Sequence, residues 1–423
     1  MKRLICVIGL ISLMTAGLNA QDTPYVILVS FDGFRHDYVA NYDLPNFQAF
    51  LKRGSQAKGL LPSFPSKTFP NHYSLVTGLY PGNHGLVNNE FFDPDRREYY
   101  SMEIVERLRD PYYYGGTPLW KLARAHNIKT ASYFWIGSEI PDEGQHPDYY
   151  LSYDEEVPFR ERVDQVLAWL RLPEQERPRF ITLYFSSPDH EAHLHGPNSR
   201  EVVSALKDVD AMLGRLMDGL DATGLPVNVI LVSDHGLKEL EFRNETFIFL
   251  DEIVDRGNPA VVSVNAGSQV HFYLRDAAQR DSLANVLRAS ATTYDVVLPA
   301  DFPRRWNFAH KRSGDLLLVA HPGHYFRDGD RSSYMKKRKY AEKFGVHGYD
   351  PDVEPDMMGI FYACGPNIRP GVTLPAFRNV HVYPLVARIL GMETPAIDGK
   401  FRVLKRIYRE AVSEKRPAGS ASR

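Results

Sequence analysis

Acidic and histidine side chains follow three short apolar runs of this sequence. The run Val-Ile-Leu-Val-Ser occurs at residues 26–30 and again at 229–233, and a third apolar run covers residues 180–185. Such runs are typical of strands buried on both faces, and the chemistry of open α/β sheets gathers at the carboxyl ends of these strands. The candidate ligands after the runs are Asp32, Asp189, His193, Asp234 and His235. Oxygen and imidazole groups converging from three strand ends predict a metal site and favour a metallohydrolase.

The spacing of these residues indicates how they share ions. Asp189 and His193 are four residues apart, so a helical turn would place both on one face, where they can bind one ion together. Far downstream, His347 stands in the stretch Gly-Val-His-Gly at 345–348, whose small residues allow close approach of the backbone. Five or six ligands in two groups predict two divalent ions. Taken alone, each aspartate is more typical of a turn or helix cap and each histidine of a hydrogen-bonded residue, so the prediction depends on their joint occurrence.

A nucleophile is also indicated. Residues 62–73 are rich in turn-forming residues and lead into an apolar helical run, which places Thr68 near a helix N-terminus, where an anionic group is favoured. A threonine hydroxyl needs a lowered pKa to attack, and metal coordination lowers it. The alternative for Thr68 is a plain helix cap. Because candidate metal ligands accompany Thr68, we favour its role as nucleophile over that of a helix cap.

The remaining pattern predicts the scaffold that positions these groups. Strand-like runs at 25–30, 130–134, 180–185 and 227–232 alternate with helical patterns at 160–172 and 202–220. This alternation predicts an α/β fold with a mostly parallel sheet covered by helices on both faces. We expect one catalytic domain over residues 21–410. Within it, residues from about 242 to 326 are less regular and suggest a cap or subdomain. The polar tail, residues 411–423, is expected to be flexible.

The first twenty residues and the composition indicate the compartment. Lys2 and Arg3 precede an apolar stretch at 4–13 and a Leu-Asn-Ala cleavage pattern, which predicts a secretory signal peptide over residues 1–20. The apolar stretch is too short to span a membrane. After its removal Cys364 is the one cysteine left, so no intramolecular disulfide is expected, which favours a bacterial periplasmic protein over an animal extracellular one. A net charge of −2 gives no nucleic-acid-binding footprint.

Five segments together resemble the nucleotide pyrophosphatase/phosphodiesterase family of the alkaline phosphatase superfamily. The resemblance extends from about residue 25 to 390, and it implies a mixed, mostly parallel α/β sheet with helices on both faces and two zinc ions. The segments that carry it are SFDGFR, PSFPSKTFPNHYSLVTGLYPGNHGLVNN, ITLYFSSPDHEAHLHGP, LVSDHG and GVHGYDP.

The same resemblance implies the roles of individual residues. It makes Thr68 the nucleophile and Asn89 a side-chain donor to a phosphate oxygen. It assigns one zinc to Asp189, His193 and His347. It assigns the other to Asp32, Asp234, His235 and the Thr68 oxygen. One departure is the sequence His190-Glu191-Ala192, where many relatives have small residues; the spacing between Asp189 and His193 is nevertheless intact, and the roles of His190, Glu191 and His195 stay open.

The resemblance also indicates a substrate class. Phe69, Tyr153 and Tyr184 match positions that flank a nucleobase, and aromatic faces suit a flat ring, although core packing is a serious alternative for all three. A stretch near residues 137–153 corresponds to an insertion that lipid-cleaving members lack, which favours nucleotides. The expected reaction is phosphodiester or phosphoanhydride cleavage, which gives a nucleoside 5′-monophosphate through a phosphothreonine.

Other functions compete with this one. Cleavage of lipid head-group esters such as glycerophosphocholine is the main alternative. A catalytically silent, metal-stabilised binding module is another, against which the nucleophile and the complete ligand set argue. A phosphomonoesterase would need more cationic groups near Thr68. A sulfatase would need a Cys or Ser in a Cys/Ser-x-Pro-x-Arg setting, which residues 66–70 do not supply.

Overall fold

The computed structural model describes residues 24–337 and 341–410. The signal peptide expected at residues 1–20 and the tail expected at 411–423 lie outside the described residues.

The strands of the described residues are, in chain order, β1 Tyr25–Phe31, β2 Ser55–Ala57, β3 Leu60–Leu61, β4 Phe91–Asp93, β5 Glu98–Tyr100, β6 Thr130–Tyr133, β7 Tyr149–Leu151, β8 Phe180–Phe185, β9 Val227–Val232, β10 Lys238–Glu241, β11 Phe247–Phe249, β12 Val261–Asn265, β13 Gln269–Leu274, β14 Tyr294–Val297, β15 Leu316–Ala320, β16 Tyr325–Arg327, β17 Lys343–Val346, β18 Phe361–Cys364, β19 Thr373–Leu374 and β20 Phe377–Arg378. The α-helices are α1 Tyr38–Asn41, α2 Pro45–Arg53, α3 Thr68–Thr77, α4 Pro81–His84, α5 Val105–Leu108, α6 Leu119–Ala125, α7 Phe159–Leu170, α8 Asp189–His195, α9 Arg200–Thr223, α10 Arg280–Ala289, α11 Arg331–Lys337 and α12 Val382–Ile389.

The largest sheet has eight strands in the order β19-β2-β18-β9-β1-β8-β6-β7. Strands β9, β1, β8, β6 and β7 are mutually parallel, whereas β18 is antiparallel to both of its neighbours. The sequence prediction of a mixed, mostly parallel sheet is therefore confirmed. In the register, Phe31 lies opposite Phe185 and Ser30 opposite Val232, so β1, β8 and β9 end along one edge of the sheet.

Strand β1 is buried on both faces, as its apolar sequence predicts. Val26 and Leu28 belong to one apolar core, whereas Ile27 and Val29 belong to the core on the opposite face. Because successive side chains of a strand point to opposite faces, only a run without polar alternation fits between two helical layers. Residues of α3, α6 and α12 cover the first face, and residues of α2, α7 and α9 cover the second.

The helix α9 shows how the sequence sets these layers. Its apolar residues recur every three or four positions, and Ser199 caps its N-terminus by accepting a hydrogen bond from the Val202 N–H at 3.2 Å. At its C-terminus Gly224 has a positive φ of 67°, a conformation that glycine adopts without a Cβ clash.

The region expected to be less regular contains a second, smaller sheet. It is antiparallel with the strand order β12-β13-β15-β14. Apolar residues of this sheet share a core with Phe344 and Val346 of β17. The smaller sheet is thus packed against the strand that precedes His347. Among the described residues, no helix combines the length and the apolar character that crossing a membrane requires.

Asp210 on the buried face of α9 joins this helix to α2. Its carboxylate accepts hydrogen bonds from the Asn46 and Phe47 N–H groups, at 3.0 and 2.9 Å, and from the Asn46 side-chain amide at 2.8 Å. Since the first N–H groups of a helix have no partner within the helix, this buried carboxylate completes the α2 N-terminus.

We expect Asp210→Ala to lower the free energy of unfolding by about 2–3 kcal/mol, because buried N–H donors lose their acceptor. The matched control is Asp221→Ala on the same helix, which removes an exposed ion pair with Arg53 and should cost less than about 1 kcal/mol. Urea unfolding of both variants measures the difference, and equal losses would contradict the capping role.

Candidate metal centre and active site

The ends of β1 and β9 bring Asp32, Asp234 and His235 together. The Nε2 atom of His235 lies 3.0 Å from Asp234 Oδ2 and 3.6 Å from Asp32 Oδ1. The Gly33 N–H donates to Asp234 Oδ1 at 3.3 Å, so the turn after β1 also orients the aspartate that follows β9. Both aspartates are buried, with exposures of 2% and 1%.

The helix α8 begins at Asp189 and carries His193 one turn later. The two side chains share a face, as their spacing predicts, with His193 Nε2 3.4 Å from Asp189 Oδ2. The Asp189 N–H donates to the Asp32 carbonyl at 3.1 Å, which ties the start of α8 to the end of β1.

His347 follows β17 and stacks on His235. The two ring centroids are 3.6 Å apart, and the His193 ring lies 5.0 Å from that of His347. The flanking glycines make this possible. A Cβ at Gly345 would lie 2.6 Å from the Ala192 carbonyl oxygen, and Gly348 has a φ of +112°.

All three histidines present the same ring nitrogen to the site. The Nδ1 atoms donate to backbone carbonyls: His193 to Gly345 at 2.8 Å, His235 to Gly236 at 3.1 Å and His347 to Ser66 at 2.7 Å. A carbonyl is only an acceptor, so each Nδ1 carries a proton, and Nε2 is the ring nitrogen that each histidine can offer to a metal ion.

Three candidate metal-binding groups result from this arrangement. One is Asp189 with His193 and His347, the first set expected from the sequence. Asp32 belongs to both other groups, with Asp189 and His235 in one and with His72 and Asp234 in the other. The two expected sets therefore adjoin each other through Asp32 and Asp189.

The donor atoms fit divalent cations. Asp32 Oδ1, Asp189 Oδ1 and Asp234 Oδ2 are buried and accept no hydrogen bond from the described residues. Buried, unpaired carboxylate oxygens are costly, whereas carboxylate and imidazole ligands together suit zinc and related ions. The residues present thus match a metal centre.

The pKa values of the candidate ligands also favour a metal centre. Burial raises the pKa of Asp32 well above its ordinary value, and the charges of Asp234 and Asp189 raise it further. Burial also acts to raise the pKa of Asp234, but His235 and His72 outweigh it and hold the pKa at about 2. Burial and the nearby charges of His235 and Lys67 keep the pKa of His347 well below its usual value, so its imidazole is neutral as metal binding requires.

Thr68 is the first residue of α3. Its Oγ1 lies 3.3 Å from His235 Nε2, within the group of expected ligands. The preceding Lys67 is extended, and no side chain caps the helix. Thr68 therefore presents its hydroxyl to the site at a helix N-terminus, where the dipole favours negative charge.

Asn89 lies beside the first turn of α3. Its Oδ1 accepts from the Phe69 N–H at 2.9 Å, and its own N–H donates to Asn88 Oδ1 at 2.9 Å. Asn88 in turn is held by His271 at 3.0 Å. The Asn89 Nδ2 atom makes no hydrogen bond within the described ranges, so the donor end of this amide is available to a ligand.

Two contacts of this site were missed by the sequence analysis. Tyr184, expected to flank a base, donates its hydroxyl to Asp32 Oδ2 at 2.7 Å and so orients a candidate ligand. His72 lies one turn after Thr68, and its ring nitrogens bond to the Thr68 carbonyl at 2.9 Å and to Ser30 Oγ at 2.8 Å. The four-residue spacing of Thr68 and His72 on a helix was the available signal for the second contact.

The other expected substrate residues differ in their surroundings. Tyr153 is 48% exposed, and its ring packs edge-on against Phe134, with centroids 5.1 Å apart. It lies 6.2 Å from the Tyr184 ring. Phe69 is partly buried against the core and makes no ring contact with either tyrosine in the described structure.

The extra polar residues of α8 stay apart from the metal groups. His190 and His195 are exposed and belong to none of the candidate groups found among the described residues. Glu191 accepts a hydrogen bond from Ser187 at 3.1 Å through Oε1, and its Oε2 is buried without a hydrogen-bond partner.

Comparison with known proteins identifies the family to which this fold and site correspond. The sequence matches the type I phosphodiesterase/nucleotide pyrophosphatase family over residues 26–350. The chain belongs to this family.

Individual relatives are identical to this chain at about a third of the aligned positions. Mouse ectonucleotide pyrophosphatase/phosphodiesterase family member 1 is 34% identical over 404 residues, which cover 92% of this chain and 43% of the mouse protein. The venom phosphodiesterase CdcPDE of Crotalus durissus collilineatus is 33% identical over 407 residues, or 94% of this chain and 48% of the venom protein. The chain thus spans somewhat less than half the length of these curated relatives.

Solved structures share the fold. Murine ectonucleotide pyrophosphatase/phosphodiesterase 5 superposes with a TM-score of 0.83 at 28% identity, covering 91% of this chain and 100% of that chain. An inactive threonine-to-alanine variant of the same murine protein, in complex with AMP, gives the same TM-score of 0.83.

We expect zinc to stabilise the folded protein, because the ion would neutralise the adjacent carboxylates of Asp32, Asp189 and Asp234. A ligand at a thousandfold excess over its Kd stabilises the folded state by about 4 kcal/mol, so zinc added to chelator-treated protein should raise Tm markedly. In Asp234→Asn most of this rise should be lost, whereas Asp208→Asn, exposed on α9, should keep it. Scanning calorimetry and elemental analysis provide the measurement. An equal rise in Asp234→Asn would show that zinc binds elsewhere.

Proposed function

We propose that this protein is a two-zinc phosphodiesterase and nucleotide pyrophosphatase that releases nucleoside 5′-monophosphates through a phosphothreonine intermediate. The observation that carries the proposal is the position of Thr68. Its hydroxyl lies at a helix N-terminus, 3.3 Å from His235 Nε2 and beside the unpaired carboxylates. Family membership supports the reaction type, and the AMP complex of a related protein supports a nucleotide.

Seven side chains would hold the two ions. Asp189, His193 and His347 form one set, and Asp32, Asp234, His235 and the Thr68 oxygen form the other. When bound, such ions supply positive charge that lowers the pKa of an adjacent hydroxyl or water and offsets the charge of the phosphate.

Thr68 performs the covalent chemistry. After losing its proton to water, the Thr68 oxygen forms a bond to phosphorus while the bond from phosphorus to the leaving oxygen breaks. The product is a threonine phosphoester. Water then attacks the same phosphorus from the side of the departed group and gives up a proton. The bond to the Thr68 oxygen breaks, this oxygen takes a proton back, and the nucleoside monophosphate leaves.

Asn89 stabilises the charge that develops during both steps. Because the Phe69 N–H holds Oδ1, the Nδ2 donor keeps one orientation next to the nucleophile. A donor that is already oriented need not reorganise as a non-bridging oxygen gains charge, and this makes it effective in the transition state.

The nucleotide preference is supported by the exposed ring of Tyr153, which offers a flat face beside the site. Phe69, next to the nucleophile, is the second candidate contact for a base, and Tyr184 lies between Tyr153 and Asp32. Lipid head-group esters are the competing substrates.

The sequence supports a proposal for the cellular location of the enzyme. A signal peptide over residues 1–20 would direct a catalytic unit of residues 21–410 out of the cytoplasm, in keeping with the venom and ecto-enzyme names of its relatives. The unit would include residues 242–326 as a subdomain around the smaller sheet, and a bacterial periplasm is the proposed location.

Thr68→Ala should abolish the activity. We expect kcat for p-nitrophenyl thymidine 5′-monophosphate to fall at least about 10³-fold, since a nucleophile is lost. The matched control is Thr77→Ala, the same substitution at the other end of α3, which should leave kcat unchanged. The wild type should hydrolyse p-nitrophenyl phosphate and glycerophosphocholine only weakly. Turnover that survives Thr68→Ala would exclude this nucleophile, and a preference for glycerophosphocholine would move the enzyme to lipid head groups.

Asn89→Ala should lower kcat by about 10²- to 10³-fold, the usual effect of removing one oriented donor to a transition-state oxygen. Asn83→Ala, which removes an exposed amide bonded to Asp398, is the control and should retain wild-type kcat. Steady-state kinetics on the thymidine ester decide the point. A change in KM alone would assign Asn89 to ground-state binding.

A further inference from the structure

The main chain of Tyr153, a residue that is 48% exposed, is held by a chain of polar contacts. Tyr153 lies in a loop without regular secondary structure, yet its N–H donates to Glu139 Oε1 at 2.8 Å. The other Glu139 oxygen accepts from Arg109 at 3.1 Å. A surface tyrosine needs no such fixing to stay folded, so the contacts indicate that the position of the ring matters.

Arg162 holds the part of the same loop that follows Tyr153. This arginine of α7 is fully buried, with an exposure of 0%, and forms no ion pair with a carboxylate of the described residues. Its guanidinium donates to the Val157 carbonyl at 3.1 and 3.0 Å and to that of Glu155 at 3.4 Å. It also donates to the carbonyl of Tyr184 at 3.0 Å, so one cation joins the Tyr153 loop to the end of β8.

The rings around the guanidinium complete the arrangement. Its central carbon lies 4.9 Å from the ring centroids of both Phe134 and Phe159. Phe134, which supports the Tyr153 ring, has a φ of +61°. That conformation is rare for a bulky residue and costs about 1–3 kcal/mol, and such strain persists only where the surroundings impose it.

A buried cation without a carboxylate partner is expensive, and a methionine or leucine would fill its volume without that cost. Unlike an apolar side chain, the guanidinium carries several donors in one fixed plane. These donors join α7, the loop after Tyr153 and the end of β8. We propose that Arg162 and Glu139 are positioning residues that clamp the Tyr153 loop, so that the tyrosine ring forms a rigid platform for the flat group of the substrate. This inference rests on the proposed function, because the platform serves the diester substrate of that site.

The clamp is expected to affect the binding of the base and not the reaction at phosphorus. A clamp acting on the platform alone changes the binding of substrates that carry a base and leaves the reacting phosphorus untouched. Two esters with the same scissile bond distinguish these effects: p-nitrophenyl thymidine 5′-monophosphate carries a base, and methyl p-nitrophenyl phosphate has a methyl group in place of the nucleoside.

The test compares KM and kcat of both esters in Arg162→Lys and Glu139→Ala. We expect KM for the thymidine ester to rise about tenfold with kcat preserved, as for the loss of one aromatic contact, while kcat/KM for the methyl ester stays constant. Tyr153→Ala, at an exposed position, should show the same selective rise. The matched control is Arg177→Lys. Arg177 likewise donates to a backbone carbonyl, that of Leu172, and lies over a tyrosine ring, but at the start of β1; neither ester should respond.

The outcomes are distinguishable. Equal losses for both esters in folded clamp variants, or no change in KM, would overturn the clamp. If Arg162→Lys does not fold, Glu139→Ala decides the question, since it releases the Tyr153 main chain without disturbing the buried cation. Failure of the proposed function itself would appear differently, as a wild-type protein that turns over neither ester.

Discussion

Three adjacent carboxylates at one edge of a parallel sheet, two of them fully buried and the third partly buried, are the constraint on which this structure depends. Asp32, Asp189 and Asp234 repel one another where little water can screen them, and the ion pairs they form in the described structure involve histidines alone. Like charges in a low-dielectric site are tolerated when cations neutralise them. The cluster therefore identifies a place built for metal ions.

The surrounding scaffold serves to keep these groups in place. Parallel pairing aligns the ends of β1, β8 and β9, and the turns after them carry the aspartates. Glycines at 345 and 348 let a distant strand deliver His347 against α8. The backbone carbonyls that accept from Nδ1 then fix each imidazole, so the ligand atoms are oriented before an ion arrives. Such preorganisation is what a catalytic metal site requires.

Tyr184 connects this centre to the loop that carries Tyr153. Its hydroxyl donates to Asp32, while its carbonyl accepts from Arg162. The candidate ligand Asp32 and the loop after Tyr153 are thus attached to the same strand end. Through these two contacts the end of β8 joins the candidate metal ligands to the loop that carries Tyr153.

Much of the fold and site follows from local sequence. Apolar runs predict the strands, the aspartates after them mark the strand ends, and the spacing of Asp189 and His193 predicts a shared helical face, because these patterns depend on neighbouring residues alone. Only the tertiary structure decided which side chains meet across long separations. The hydroxyl of Tyr184 on Asp32, the commitment of both nitrogens of His72, and the burial of Arg162 among carbonyls all depend on partners distant in the chain. Their roles are set by packing, which no local period encodes.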